Sequence, residues 1–368
     1  MTESGELVTT RTVLPERNLD LLRAIAVLLV VLDHTLEGAG NHARILKWLG
    51  QAGVQAFFVH TSLVLMASLE RDGAPQRVGW VRRFYIRRAF RIYPLAWVVV
   101  AFMVVFNLPP GLWAPRESHS FGTIVSNFAL VMDLAGTDPV IPAFWTLPIE
   151  MEMYLALPLC YLLARRQSWD GVGGLFAFGM GCAFFFIWGI QPAHTLAGMW
   201  RFQVLQFVPC FAMGVIAYWL LRHSTSRWLR LPSWVWMAII VADILALADM
   251  WDLFQPHFVT RAIFCAVLGL TIPLVADAAP SILTRITNRI AVYSYGIYLV
   301  HQLALRLAYR GLKGYPLPLQ LLVAIVTLTV VCYVAYNYIE KPGIKLGQRL
   351  AGGRPGGKLP LESTAPAP

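Results

Sequence analysis

The stretch Arg17-Asn18-Leu19-Asp20-Leu21-Leu22-Arg23-Ala24-Ile25-Ala26-Val27-Leu28-Leu29-Val30-Val31-Leu32-Asp33-His34 decides how this chain is read. It opens with charges, runs through aliphatic residues from Ala24 to Leu32, and ends on Asp33-His34. That pattern predicts a membrane helix with a charged mouth and a histidine near its far end. An ionisable side chain at membrane depth is costly to keep, which makes His34 a functional-site candidate. The first 18 residues are polar and the aliphatic run lacks a small-residue cleavage pattern, so the segment reads as a retained helix, not a signal peptide.

The same pattern recurs along the chain. Of 368 residues, 57% are hydrophobic and 14% charged; a soluble protein carries about 25% charged residues. The deficit, with repeated long apolar runs, predicts an all-α, polytopic transmembrane bundle. Helices are expected near 19–37, 49–69, 86–107, 145–164, 171–190, 201–221, 232–250, 258–277, 290–309 and 317–338. The apolar piece at 121–134 is too short to span easily and reads as re-entrant, interfacial or part of a further span.

Arginine and lysine cluster in alternate segments: Arg11 to Arg23, Arg71 to Arg91, Arg165 and Arg166, Arg222 to Arg230, Arg285 and Arg289, and from Lys341 onward. The positive-inside rule then gives ten spans with both termini cytoplasmic, in the inner (plasma) membrane. This predicts a cytoplasmic tail at 1–18, a transmembrane domain at 19–340, and a cytoplasmic, Gly/Pro/Ala-rich disordered tail at 341–368. The net charge of +10 is accounted for by topology and does not call for nucleic acid. The five cysteines lie in apolar runs without a CxxC pair, so neither a disulfide framework nor a metal site is expected.

Four places concentrate polar residues. Arg23 and His34 are eleven positions apart, close to three full turns, and share a face roughly 16 Å apart along the axis. Asp20 joins the Arg23 end; it either supports a polar path or simply pairs with Arg23. Asp33, adjacent to His34, points elsewhere and is expected to meet another helix. In the second place, Arg82-Arg83-Phe84-Tyr85-Ile86-Arg87-Arg88-Ala89-Phe90-Arg91, Arg87, Arg88 and Arg91 form one cationic ridge if helical. Arginine forks bind phosphates, so a polyphosphate ligand or anionic lipid headgroups would suit it.

In the third place, Trp145-Thr146-Leu147-Pro148-Ile149-Glu150-Met151-Glu152-Met153-Tyr154, Glu150 and Tyr154 share a face, and Glu152 lies about 200° away from Glu150. In the fourth, Tyr293 to Gln302, His301 is a second intramembrane histidine. His60 and Asp243 are lone polar residues and read as packing partners.

These motifs, in this order, resemble the membrane-bound acyltransferase family 3, integral membrane O-acyltransferases. The resemblance runs from about Arg17 to Pro342. It is carried by Arg17-x-Leu19-Asp20-x-x-Arg23-Ala24 through His34, Val54-x-x-Phe57-Phe58-Val59, Arg87-Arg88-x-x-Arg91-Ile92-Tyr93-Pro94, Trp145-Thr146-Leu147-x-Ile149-Glu150-x-x-x-Tyr154, Tyr293-Ser294-Tyr295-x-x-Tyr298-Leu299-x-His301, and Glu340-x-Pro342. Two departures stand out. After Val59 the family generally continues with a Ser-Gly-Phe-like turn, where this chain has His60-Thr61-Ser62-Leu63. Thr146 and Pro148 stand where the Trp-Ser-Leu-Ser-x-Glu motif has serines.

The resemblance implies transfer of an acyl group, usually acetyl, from cytoplasmic acetyl-CoA to a hydroxyl of a cell-envelope or exported glycan. Acetyl-CoA would be a co-substrate, with no permanently bound cofactor, and the other partners would be the acceptor and membrane lipids. His34 would act as general base or acyl carrier and Glu150 would orient it or contact the acceptor. Arg23, Arg88, Arg91, Tyr154 and His301 would bind substrate or CoA, with Asp20, Asp33, Arg87 and Glu152 in support. The competing reading is a secondary transporter or flippase with a proton-relay histidine; no convincing internal repeat supports it.

Overall fold

The computed structural model describes residues 14–108, 119–165, 169–190, 201–223, 230–253 and 257–352. Among them the structure is helical, with no strand beyond a single bridge between Leu231 and Val275. Ten long helices coincide with the ten expected segments. They are α1 (Glu16–Gly38), α2 (Arg44–Arg71), α3 (Trp80–Val105), α6 (Thr146–Ala164), α7 (Trp169–Phe185), α8 (Val204–His223), α9 (Ser233–Leu253), α10 (Phe258–Thr271), α11 (Ile282–Gly311) and α12 (Leu317–Ala335). The 121–134 segment forms two short helices, α4 (Phe121–Ala129) and α5 (Met132–Ala135). Tyr93 Oη and Trp97 Nε1 of α3 donate to the carbonyls of Ala129 and Phe128, tying these short helices to a long one.

Among the described residues six helices are long and apolar enough to cross a membrane: Arg44–Arg71, Trp80–Val105, Pro142–Ala164, Asp170–Ile190, Val204–His223 and Leu317–Leu350. α9 and α10 contribute shorter apolar stretches, Ser233–Ala248 and Phe258–Leu274. α1 and α11 do not meet the same measure; they carry Asp20, Arg23 and Asp33, and Arg285, Arg289, Arg306 and Arg310. They also pack extensively on each other. The helices too polar to rank as simple spans are thus the ones placed together.

α2 is the central element. Of its most apolar window 78% is buried, against 11% for Leu317–Leu350, whose Leu322, Ile325, Val326 and Val330 face outward. α2 meets α1 through glycines: a Cβ at Gly53 would stand 2.5 Å from the carbonyl oxygen of Ala26, and Gly50 lies against the Asp33 side chain. The base of α1 is fixed by polar contacts. Arg17 pairs with Asp277 at 3.3 Å, Asn18 Nδ2 donates to the Ala276 carbonyl, and Asn288 Nδ2 donates to Asp20 at 2.7 Å. α11 begins with a capping box, Ser281 and Thr284 satisfying each other's backbone N–H.

Two expectations differ from the structure. α10 stops at Thr271, short of 277, and a 3-10 turn spans Ile272–Leu274, where Pro273 supplies no N–H for a continuing helix. The segment from Lys341 is not irregular at its start: α12 passes through a π-helical turn, Tyr336–Glu340, into α13 (Lys341–Leu350). Pro342 sits in the first turn of α13, and Gly343 and Gly347 let it lie against Phe90 and Pro94 of α3. Residues 353–368, the rest of the expected tail, lie outside the described residues, as do 1–13 of the expected N-terminal tail and Arg166 and Arg227.

Candidate functional site

Helices α1, α2, α3, α6 and α11 line a partly open cavity of about 110 Å³. Its charged lining is Arg23 from α1, Arg88 and Arg91 from α3, and Glu150 from α6; Tyr154, His60, Ser294, Tyr295 and Tyr298 complete the polar wall. Val54, Phe57, Phe58, Thr61, Val64 and Leu65 recur at three- and four-residue steps, so one face of α2 makes the largely apolar side, with the Thr61 hydroxyl on it.

The arginines are held differently. Arg23 Nε donates to Ser294 Oγ at 2.6 Å. Arg91 Nη1 pairs with Glu340 Oε2 at 2.8 Å, and its guanidinium lies 5.5 Å above the Tyr295 ring. Glu340 is fully buried, brought to the site by the π-helical turn that ends α12. Arg88 makes no ion pair or hydrogen bond among the described residues, and its Nε is buried without a partner. Tyr154 Oη donates to Glu150 Oε2 at 3.0 Å, and Glu150 lies within electrostatic reach of Arg23. Three guanidiniums therefore face two carboxyl groups. Even with both carboxyls ionised, one positive charge is left over in a low-dielectric cavity, a setting that favours an anionic ligand.

His34 and His301 lie outside this cavity. Their ring centroids are 5.0 Å apart in an edge arrangement. His34 Nδ1 is 2.9 Å from the Val30 carbonyl, and His301 Nδ1 is 2.7 Å from that of Tyr298. Carbonyls only accept, so in the neutral rings each Nδ1 carries the proton and each Nε2 keeps its lone pair. Nε2 of His301 is buried with no hydrogen-bond partner among the described residues. Tyr298 touches both regions: it lines the cavity, its Oη is 2.9 Å from Thr146 Oγ1, and its ring is 6.0 Å from that of His301.

An arginine-rich cavity beside a pair of facing histidines suits acyl transfer, and comparison with known proteins agrees on that activity. The model of the acyltransferase domain matches residues 16–337. The chain belongs to acyltransferase family 3. It is 28% identical over 293 residues to Acyltransferase MdmB of Streptomyces mycarofaciens, covering 72% of this chain and 71% of that protein. It is 25% identical over 323 residues to Nodulation protein 10 of Rhizobium leguminosarum bv. viciae, covering 78% and 82%. No solved structure matches the chain.

In this family-3 acyltransferase the expected site residues divide. Arg23, Arg88, Arg91, Glu150 and Tyr154 come together at the cavity. His34 and His301 form a separate pair. Glu150 is therefore set against Tyr154 and not against His34, which was one of the two roles expected of it, the other being contact with the acceptor. Asp20 does not pair with Arg23 but accepts from Asn288. Arg87 leaves the ridge to pair with Asp72 at the end of α2, because it is 100° around the helix from Arg88. Glu152, on the opposite face of α6 from Glu150, meets Asp133 of α5; burial raises the Asp133 carboxyl above the ordinary carboxylate range. Glu340, Ser294, Tyr295, Tyr298 and Thr146 had motif membership but no assigned role, and His60 was read as a packing residue. A wall of α2 at helical spacing was the signal that places His60 there.

Proposed function

We propose that this protein is a multi-pass O-acyltransferase of the inner (plasma) membrane, with ten spans and both termini cytoplasmic. It takes an acetyl group from cytoplasmic acetyl-CoA and delivers it to a hydroxyl of a cell-envelope or exported glycan. The observation that carries the reading is the cavity in which Arg88, among the described residues, makes no ion pair or hydrogen bond. A buried, unpaired cation is expensive, and a phosphate in the cavity would offset that cost.

In this reading the CoA phosphates rest on Arg88 and Arg91, with Arg23 further along the arm. The arm extends from Arg23 toward His34, a separation of roughly 16 Å. Tyr298 and Thr146 stand on that path, so their hydroxyl pair separates to admit the thioester. As general base, His34 Nε2 takes the acceptor hydroxyl proton while the oxygen attacks the thioester carbonyl. The C–S bond breaks and the proton passes to the leaving thiolate. As acyl carrier, His34 Nε2 attacks first, expels the thiol and yields the acyl group to the hydroxyl in a second step. His301 borders His34 and holds its ring in place, and Glu150 contributes through the cavity.

Acyl transfer and donor binding are separable in the test. His34→Ala is expected to lose acetyl transfer in vesicles by at least a hundredfold while acetyl-CoA still raises its melting temperature in detergent. Near-wild-type transfer by His34→Ala, or indifference of the wild-type protein to acetyl-CoA, would overturn the reading.

A further inference from the structure

His60 has no place in the reaction described so far. It is 4% exposed, it lines the cavity, and neither ring nitrogen has a hydrogen-bond partner among the described residues. A buried imidazole left unpartnered is destabilising, so a sequence that places one against a cavity leaves it for something that enters.

Its depth follows from the α1–α2 contact. Gly50 lies against Asp33 and Gly53 against Ala26 and Val30, so the two helices run antiparallel in a register that sets residue 60 level with residue 23. Arg23 is within electrostatic reach of His60, consistent with that register. The cavity already holds three guanidiniums. What an imidazole adds is a donor and an acceptor on one rigid ring, beside the Thr61 hydroxyl on a wall of α2 that is otherwise made by Val54, Phe57, Phe58, Val64 and Leu65. Either nitrogen suits a secondary amide, whose C=O accepts from the ring N–H or whose N–H donates to the bare ring nitrogen. The bare nitrogen does not match a phosphate, which only accepts at neutral pH and is served by the arginines.

We propose that His60 binds the amide-bearing arm of the acyl donor, holding it on the α2 side of the cavity while Arg88 and Arg91 hold the phosphates. This rests on the reading of the cavity as the donor site. His60 is then a positioning residue for the donor and takes no part in the bond-making at His34.

The test uses the full-length protein in detergent with two probes: CoA, which carries the amide arm, and adenosine 3′,5′-bisphosphate, which lacks it. His60→Ala is expected to weaken CoA about tenfold, the loss of one good hydrogen bond, and to leave the bisphosphate unchanged. Arg88→Ala is expected to weaken both. His60→Gln, which keeps a donor and an acceptor, is expected to recover most of the CoA affinity, and His60→Phe, which keeps the ring, to recover none. Equal CoA binding by wild type and His60→Ala overturns the role of His60 and leaves the donor site intact. So does equal weakening of both probes, the mark of a structural residue. A wild-type protein that binds neither probe overturns the donor site itself. If His60→Ala does not fold, the contrast between Gln and Phe decides the matter.

Discussion

Arg88 and Arg91 are one turn apart on α3 and differ in what neutralises them. Arg91 faces the fully buried Glu340 at 2.8 Å, and removing one partner of a buried pair leaves the other uncompensated. Arg91→Gln is therefore expected to cost about 3–5 kcal/mol of stability, visible as a lower melting temperature with or without ligand. Arg88 has no such partner among the described residues, and its burial is a cost in the empty protein. Arg88→Met is expected to leave the ligand-free melting temperature unchanged or higher, and to abolish the rise that acetyl-CoA produces in the wild type. A large loss of ligand-free stability in Arg88→Met would mean that Arg88 is a structural cation. This division was not legible in the sequence. The ridge Arg87-Arg88-x-x-Arg91 shows three cations at helical spacing, but the partners that sort them, Asp72 and Glu340, come from other helices 15 and 249 residues away.

At the scale of helices, the periodicity of α1 was informative because a single helix fixes its own faces. Arg23 and His34 do share a face, and α11 supplies a partner for each, Ser294 and His301. What a lone helix does not fix is how far its neighbours approach or how they slide along it. The Gly50 and Gly53 contacts set that for α2, and with it the level of His60 opposite Arg23. The π-helical turn before Glu340 is similarly silent in composition, yet it delivers the carboxyl that Arg91 needs. Gly53→Ala tests the close approach. Its methyl group would meet the Ala26 carbonyl, a backbone atom that moves only if the helices part. The expected result is a loss of about 1–3 kcal/mol, together with weaker CoA binding as the α1 and α2 walls of the cavity separate. An unchanged melting temperature would show that the two helices tolerate the added volume, and that their contact does not set the cavity.

The whole molecule combines a legible frame with a hidden assembly. Ten apolar segments appear as ten helices because long apolar runs in lipid have little choice but to satisfy their own backbone. Their arrangement has to be read from long-range polar contacts, such as Arg17 with Asp277 and Tyr309 Oη with the Thr35 carbonyl. Those two contacts run in the same order along α1 and α11, so the two helices are parallel and the segment between them must cross an odd number of times, as the seven long helices α2, α3 and α6–α10 would. Ten spans with both termini cytoplasmic satisfy this and put the α2–α3 loop, with Arg71 to Arg83, on the inner side. The loops at 39–43 and 312–316 then face outward. Single cysteines at Val78, which is 92% exposed, and at Asn41 and Lys313 test the arrangement in intact cells. A membrane-impermeant maleimide is expected to label Asn41→Cys and Lys313→Cys directly, and Val78→Cys only after permeabilisation. The five native cysteines lie in helices and are expected to give little background. Labelling of Val78→Cys from outside would invert the protein and place the arginine cavity away from cytoplasmic acetyl-CoA. Opposite behaviour of Asn41→Cys and Lys313→Cys would break the parallel relation of α1 and α11, and with it the His34–His301 pair.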